Sequence, residues 1–223
     1  MGNKEENLKL FWPKNAPDIS QVSKYINKYK NEKIVIKCGG KVLIDPNLFD
    51  NFIEDISVLY KLGLKVIIIH GGGPRIKEEL AKLNIESEFI NGLRVTNKQT
   101  MEVVEKALVD FNIEIIKKLE KKNCKSEGLN VSTNNVIIVD QENKNLGFVG
   151  KPRKIFNEKI NIVIDKNVIP VLSPMGKGDD DQKYNINADT AAAAVAKSLK
   201  SRRLLLMTDV EGVYDENKKL INE

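Results

Sequence analysis

Ten consecutive residues, Val66-Ile67-Ile68-Ile69-His70-Gly71-Gly72-Gly73-Pro74-Arg75, narrow what this chain can fold into. Four branched apolar residues in so short a run read as a strand buried on both faces, the kind found inside parallel sheets. Three glycines let the backbone turn sharply and bring bare N–H groups up to a ligand. Pro74 suits the first helical position, which needs no backbone donor. Strand, glycine turn and helix N-terminus together form an anion site, with amides and the helix dipole facing negative charge. A tight strand-to-helix turn with no ligand uses the same residues, so the stretch does not decide function alone.

A second turn of the same kind shifts the balance. Residues 33–37 form a strand that runs into Cys38-Gly39-Gly40. Two such strands side by side can enclose one polyanion between their turns, and Lys37, closing its strand, points either at that space or into solvent. Residues 46–62 carry Phe49, Ile53, Ile56 and Tyr60 at helical spacing. Residues 74–83 form the helix behind the central glycines. Residues 97–122 form a long amphipathic helix with a basic end, capped at Thr96 or Asn97. Arg94, just ahead of that cap, suits a two-pronged clamp on a carboxylate.

Residues 136–140 and 146–149 read as a hairpin projecting from the main sheet, suited to serve as a lid. Residues 157–167 read as a helix and 168–172 as a buried strand, with Pro170 where no donor is needed. A charged loop spans 176–183. Asn187 then caps an alanine-rich helix with Asp189 in its first turn, a place the helix dipole also favours for a carboxylate. Residues 204–207 read as a buried strand ending in Thr208-Asp209-Val210-Glu211-Gly212-Val213-Tyr214, a polar loop suited to a nucleotide. Four buried strands ending in polar or glycine loops, with helices between, predict an α/β three-layer αβα sandwich with a mostly parallel central sheet. The active face belongs at the carboxyl ends of those strands.

Residues 18–29 read as a helix capped by Asp18, with Ile19, Val22, Tyr25 and Ile26 on one face. That divides the chain into an N-terminal extension, 1–29, and one domain, 30–223. No apolar run approaches the ~20 residues a membrane helix needs. Residues 1–10 are polar, without a secretory signal. Cys38 and Cys124 make no disulfide framework, which points to a reducing, cytoplasmic setting. The net charge of +5 is spread among alternating Lys and Glu, a pattern of solvated helix faces that argues against a nucleic-acid partner.

Taken together, Lys37-Cys38-Gly39-Gly40, His70-Gly71-Gly72-Gly73-Pro74, Asn91-Gly92-Leu93-Arg94-Val95-Thr96, Leu146-Gly147-Phe148-Val149-Gly150, Asn185-Ile186-Asn187-Ala188-Asp189 and Thr208-Asp209-Val210-Glu211-Gly212-Val213 resemble the amino acid kinase family from about Ile34 onward. The wording is most similar to the branch acting on N-acetyl-L-glutamate in arginine biosynthesis. The resemblance implies transfer of the ATP γ-phosphoryl group to the γ-carboxylate of that acid. Lys37 would stabilise the transferring phosphoryl group, with Asp189 orienting the catalytic lysines. Gly39 and Gly40 would donate amides to the nucleotide phosphates, and Gly72 and Gly73 would cradle the substrate. Arg94 would pair with its α-carboxylate, and Asn185, together with Asn187, would bind the amino acid. Thr208, Asp209, Val210, Gly212, Val213 and Tyr214 would hold the nucleotide. Mg²⁺ would ride on the phosphates without a protein cage. A homodimer is implied, with hexamers linked through residues 1–29 and arginine as an effector.

The family also places a second catalytic lysine after the nucleotide loop, and no residue before Glu223 matches it. The chain therefore reads as a fragment or a truncated homologue. Two alternatives stand beside the kinase reading: a catalytically impaired binding or regulatory homologue, and a related kinase acting on acetylaminoadipate or carbamate. A dinucleotide-dependent dehydrogenase does not fit, because the three glycines lack the G-x-G-x-x-G spacing.

Overall fold

Strands β1 (Lys33–Cys38) and β2 (Lys65–His70) are almost wholly apolar and lie side by side. They pair in parallel without a slip, from Lys33 opposite Lys65 to Cys38 opposite His70. The computed structural model describes Trp12, Asp18, residues 26–208, Gly212, Tyr214, residues 215–217 and residues 219–221. Of the helix expected over 18–29, residues 26–29 are helical and 19–25 lie outside the described residues.

Helix α1 (Pro46–Lys61) follows β1. Asp45 caps it by accepting from the Asn47 and Leu48 amides, and Pro46 occupies its first turn. Helix α2 (Gly73–Lys82) follows β2. Strands β3 (Phe89–Ile90) and β4 (Leu93–Arg94) then form a two-stranded hairpin. Its turn is Asn91-Gly92, both at positive φ, 50° and 78°, the sequence and geometry of a tight hairpin turn. Helix α3 (Lys98–Lys121) starts at Asn97, whose side chain accepts from the Thr100 amide.

Strand β5 (Ser126–Leu129), strands β6 (Ile137–Gln141) and β7 (Gly150–Ile155), helix α4 (Asn157–Asp165) and strand β8 (Ile169–Leu172) come next. Strands β9 (Met175–Lys177) and β10 (Lys183–Asn185), helix α5 (Ala188–Ser198) and strand β11 (Arg203–Met207) follow. The main sheet runs β11-β1-β2-β8-β5, every pair parallel. Alternate residues of its strands face opposite layers. Val35, Ile67 and Ile69 pack with α4 and α5, while Ile34, Ile36, Val66 and Ile68 pack with α1 and α3. The expected three-layer sandwich is what forms.

Pro170 sits inside β8 without breaking it. Ile169 and Ser173 send their amides toward β5, to the carbonyls of Lys125 and Leu129. Position 170 therefore faces β2, whose pairing with β8 begins only at Ile68 opposite Val171. No donor is required there.

Three expectations are corrected. The second strand of the projecting hairpin is β7, Gly150–Ile155, and not residues 146–149. Residues 146–149 form a connection that holds Gly147 at φ 69°. The charged segment 176–183 is not wholly loop: its ends join antiparallel strands β9 and β10, and with β6 and β7 they build a second sheet, β10-β9-β6-β7. Strand β11 is not buried: Leu205, Leu206 and Met207 are exposed, because β11 is an edge strand among the described residues, with Leu204 its contact to the core.

The layers meet at Phe111 of α3. Its ring lies 5.5 Å from Phe49 of α1, meets His70 of β2 edge-on at 5.1 Å, and carries the Arg75 guanidinium of α2 at 4.1 Å. Phe111→Ala would open a fully buried cavity at this junction and should cost about 3–5 kcal/mol, read as a lower urea midpoint at unchanged slope.

Candidate active site

The β1 and β2 turns emerge together at the carboxyl rim of the sheet and floor a cleft of about 240 Å³. Gly39 and Gly40 line it from one turn, and Gly71, Gly72 and Gly73 from the other. Lys37, Arg94, Asn185, Asn187 and Asp189 complete the polar wall. The topology gathers these groups because the elements that carry them end at one rim.

Lys37 is buried, and its Nζ lies 2.9 Å from Asp189 Oδ1 in the first turn of α5. Asp189 itself is half exposed toward the cleft, at 52%. The Lys37 side chain folds back over Gly39, where a Cβ would overlap Nζ and stand 2.8 Å from Cε. The backbone at 39 is extended, φ −151°, so glycine there leaves room for the lysine and does not answer to the turn. Gly72 caps α2 with no side-chain acceptor, so the first amides of that helix stay open to the cleft. A Cβ at Gly72 would strike Leu108 of α3, which fixes how closely this turn rests on the helix below. At Gly73 a Cβ would meet nothing within 4 Å, so that position opens onto free space.

The β3–β4 hairpin delivers Arg94. It pairs with Phe89 across the hairpin and stacks its guanidinium 4.6 Å over the Phe89 ring. Nη2 donates to the Gly73 carbonyl at 3.2 Å, and Nη1 donates to Ser87 Oγ. Burial pulls the Arg94 pKa down from its ordinary value. Among the described residues no carboxylate pairs with it. A buried guanidinium lined up on a cleft without its own counter-ion is poised for an anionic ligand.

Asn185 is set by backbone: its amide donates to the Phe148 carbonyl, which in turn is tethered through Thr96 to the segment after β4. Its carboxamide makes no hydrogen bond among the described residues. Lys183, two residues earlier, anchors β10 to α3 through Glu105 at 2.6 Å. Burial alone would raise the Glu105 carboxyl, but hydrogen bonds from Lys183 and Ser132 outweigh it and hold it below the ordinary value. Asn187 also lines the cleft, with its Oδ1 taken by the Asp189 and Thr190 amides as the α5 cap.

The nucleotide loop is different. Asp209, Val210 and Val213 lie outside the described residues. Thr208, Gly212 and Tyr214 are described but do not line this cleft, and Tyr214 is bridged to Leu220. The described part of the loop thus stands apart from the cleft lined by the glycine turns.

Sequence reasoning passed over His70 as a functional residue. It is fully buried beneath the glycine turn, Nδ1 2.9 Å from the Gly71 carbonyl and Nε2 within reach of Asn112 and Ser173. A histidine opening a glycine turn was the available signal. Its partners lie on α3 and just after β8, too far along the chain to be read from spacing.

The amino acid kinase family model matches residues 32–223. An acetylglutamate kinase of Pelagibacter ubique is 51% identical over 220 residues, covering 99% of this chain and 76% of that protein. One from Dinoroseobacter shibae is 38% identical over 221 residues, covering 99% and 77%. Among solved structures, smu.665 from Streptococcus mutans superposes with a TM-score of 0.75 at 33% identity, over 82% of this chain and 75% of that one.

Burial, against the pull of the Gly71 carbonyl, pushes the His70 pKa down to about 4. An unfolded histidine takes its proton near pH 6.5, so between the two values the unfolded chain binds more protons and acid favours unfolding. His70 is the chain's single histidine. Its imidazole signal should stay neutral in NMR down to about pH 4. His70→Asn should remove up to about 3 kcal/mol of acid sensitivity between pH 6.5 and 4, measured as the difference in urea stability between the two proteins.

Proposed function

Because the chain belongs to the amino acid kinase family and its relatives are named acetylglutamate kinase, we propose that it transfers the γ-phosphoryl group of ATP to the γ-carboxylate of N-acetyl-L-glutamate and serves arginine biosynthesis. The observation that carries the reading is the pairing of two buried cations in one cleft. Lys37 is held by Asp189 beside the glycine turns, and Arg94 stands without a carboxylate partner among the described residues. The first suits a phosphoryl group in flight, the second a fixed substrate carboxylate.

Attacking carboxylate and γ-phosphate are both anions, so the site must offset repulsion and align them. Lys37 does so from the floor, its ammonium fixed by Asp189 and its stem packed over Gly39. Amides of Gly39, Gly40, Gly72 and Gly73 add donors that need no rearrangement during reaction. Arg94 and the Asn185 carboxamide orient the amino acid, with Asn187 beside them. Asp189, the one carboxylate among the described lining residues, is occupied by Lys37. Mg²⁺ would therefore be held by phosphate oxygens brought in with ATP, where it supplies charge neutralisation. Residues 208–214 would hold the nucleotide. Residues 1–29 form an extension to the kinase domain, 30–223. The assembly is a cytoplasmic homodimer that the extension links into hexamers under arginine control, and light-scattering masses with and without residues 1–29 check that arrangement.

Lys37→Ala should cut turnover about 10²–10³-fold, with the KM for acetylglutamate moving less than about threefold. Arg94→Ala should raise that KM about 10- to 100-fold while turnover falls less. Acyl phosphate trapped as the hydroxamate measures both. ATP and acetylglutamate bound by the unaltered chain without any acyl phosphate would replace the kinase with a binding homologue. Preference for acetylaminoadipate or carbamate would move it to a related kinase.

A further inference from the structure

The cleft is underlain by a polar cluster whose hydrogen bonds run among its own members and to backbone carbonyls. His70, Asn112 and Ser173 are all buried, and they come from β2, α3 and the end of β8. Burying three polar side chains is costly unless each is satisfied, and an apolar set would fill the same space more cheaply. Here the partners fix one another. The Gly71 carbonyl can only accept, so Nδ1 of His70 carries the proton and donates at 2.9 Å. Nε2 must then accept, its one lone pair shared between Asn112 Nδ2 at 3.2 Å and Ser173 Oγ at 3.3 Å. Asn112 spends its other amide hydrogen on the Val171 carbonyl at 2.9 Å, which settles its orientation and ties it to β8. Its Oδ1 lies over Gly128 of β5, where a Cβ would overlap it.

In a trans peptide the N–H leaves on the side opposite the C=O. With the Gly71 carbonyl drawn inward onto His70, the Gly72 N–H is directed outward, away from the buried ring and toward the cleft that Gly72 lines. The geometry points to His70 as a positioning residue: with Asn112 and Ser173 it fixes the Gly71–Gly72 peptide so that the Gly72 amide faces the anionic ligand. The inference deepens the kinase reading and rests on it for its catalytic half.

Two substitutions separate this role from plain packing. In His70→Asn the side-chain amide falls where Nδ1 stood and keeps the donor to Gly71. In His70→Gln it falls near Nε2 and leaves Gly71 without one. Crystal structures of the full chain should show the Gly71–Gly72 peptide unchanged in H70N and rotated in H70Q. With ATP and acetylglutamate, kcat should fall about 10²-fold in H70Q and less than about tenfold in H70N, the KM for acetylglutamate moving less than about threefold in both. An unrotated peptide in H70Q overturns the proposal, whatever the activity. So do equal kcat losses in the two variants at equal Tm. If H70Q does not fold, Ser173→Ala takes its place: a several-fold lower kcat at unchanged KM supports the proposal and an unchanged kcat overturns it. Should the unaltered chain make no acyl phosphate, the kinase reading falls while the peptide orientation still decides this one.

Discussion

Everything at the cleft depends on the slip-free parallel ladder between β1 and β2. With Cys38 directly opposite His70, the two strands end at the same height, and the glycine turns that follow emerge as neighbours. The first turn is even bonded to the second, the Gly71 amide donating to the Cys38 carbonyl at 2.7 Å. A slip of one residue would have pushed Lys37 to the other face of the sheet, into the α1–α3 layer, and cost a buried unpaired ammonium. Hydrophobic burial on both faces prevents that: Val35, Ile67 and Ile69 belong to one core, Ile34, Ile36, Val66 and Ile68 to the other. The chemistry is held in place by apolar residues that take no part in it.

The electrostatics of the cleft follow the same division of labour. Lys37 and Arg94 are both buried, but only Lys37 has a carboxylate among the described residues. The cleft lining therefore carries one more cation than anion, and its helix N-terminus adds to the positive field. The same burial that makes these cations effective keeps His70 neutral and raises the Cys38 thiol to about 12, Lys37 opposing only in part. Neither His70 nor Cys38 is set up for proton transfer or nucleophilic attack near neutrality. That fits a reaction in which position and charge count for more than covalent participation.

Much of this was legible in the amino-acid order, where local chemistry speaks for itself. The glycine turns, the Asn97 and Asn187 caps and the alanine helix carry their structure in a few adjacent residues, and the structure has them. The misreadings share a cause. Strand β5, Ser-Glu-Gly-Leu, has no apolar run and exists because β8 pairs with it. Strand β7, Lys-Pro-Arg-Lys within its length, looks like loop until β6 supplies the ladder. Asn91-Gly92 between Phe89-Ile90 and Leu93-Arg94 was a readable hairpin signal that the sequence reading left unassigned. Strand β11 is apolar in composition, yet composition cannot tell an edge strand from a central one. Of the site, Lys37, the glycines, Arg94, Asn185, Asn187 and Asp189 converge as the order of motifs implied, whereas the described part of the nucleotide loop does not.

Gly128 carries an implication for how such a chain drifts over time. It lies on β5, does not line the cleft, and has an ordinary strand conformation. Its lack of a side chain is imposed by the carboxamide of Asn112 next to it. Selection on the reaction would thus be felt at a silent backbone position one strand removed from it. A smaller residue at 112 would remove the overlap at 128, leaving Ile116 Cδ1 at 3.1 Å as the remaining tight contact. The room at position 128 is set by what stands at position 112, although only one of the two carries a side chain.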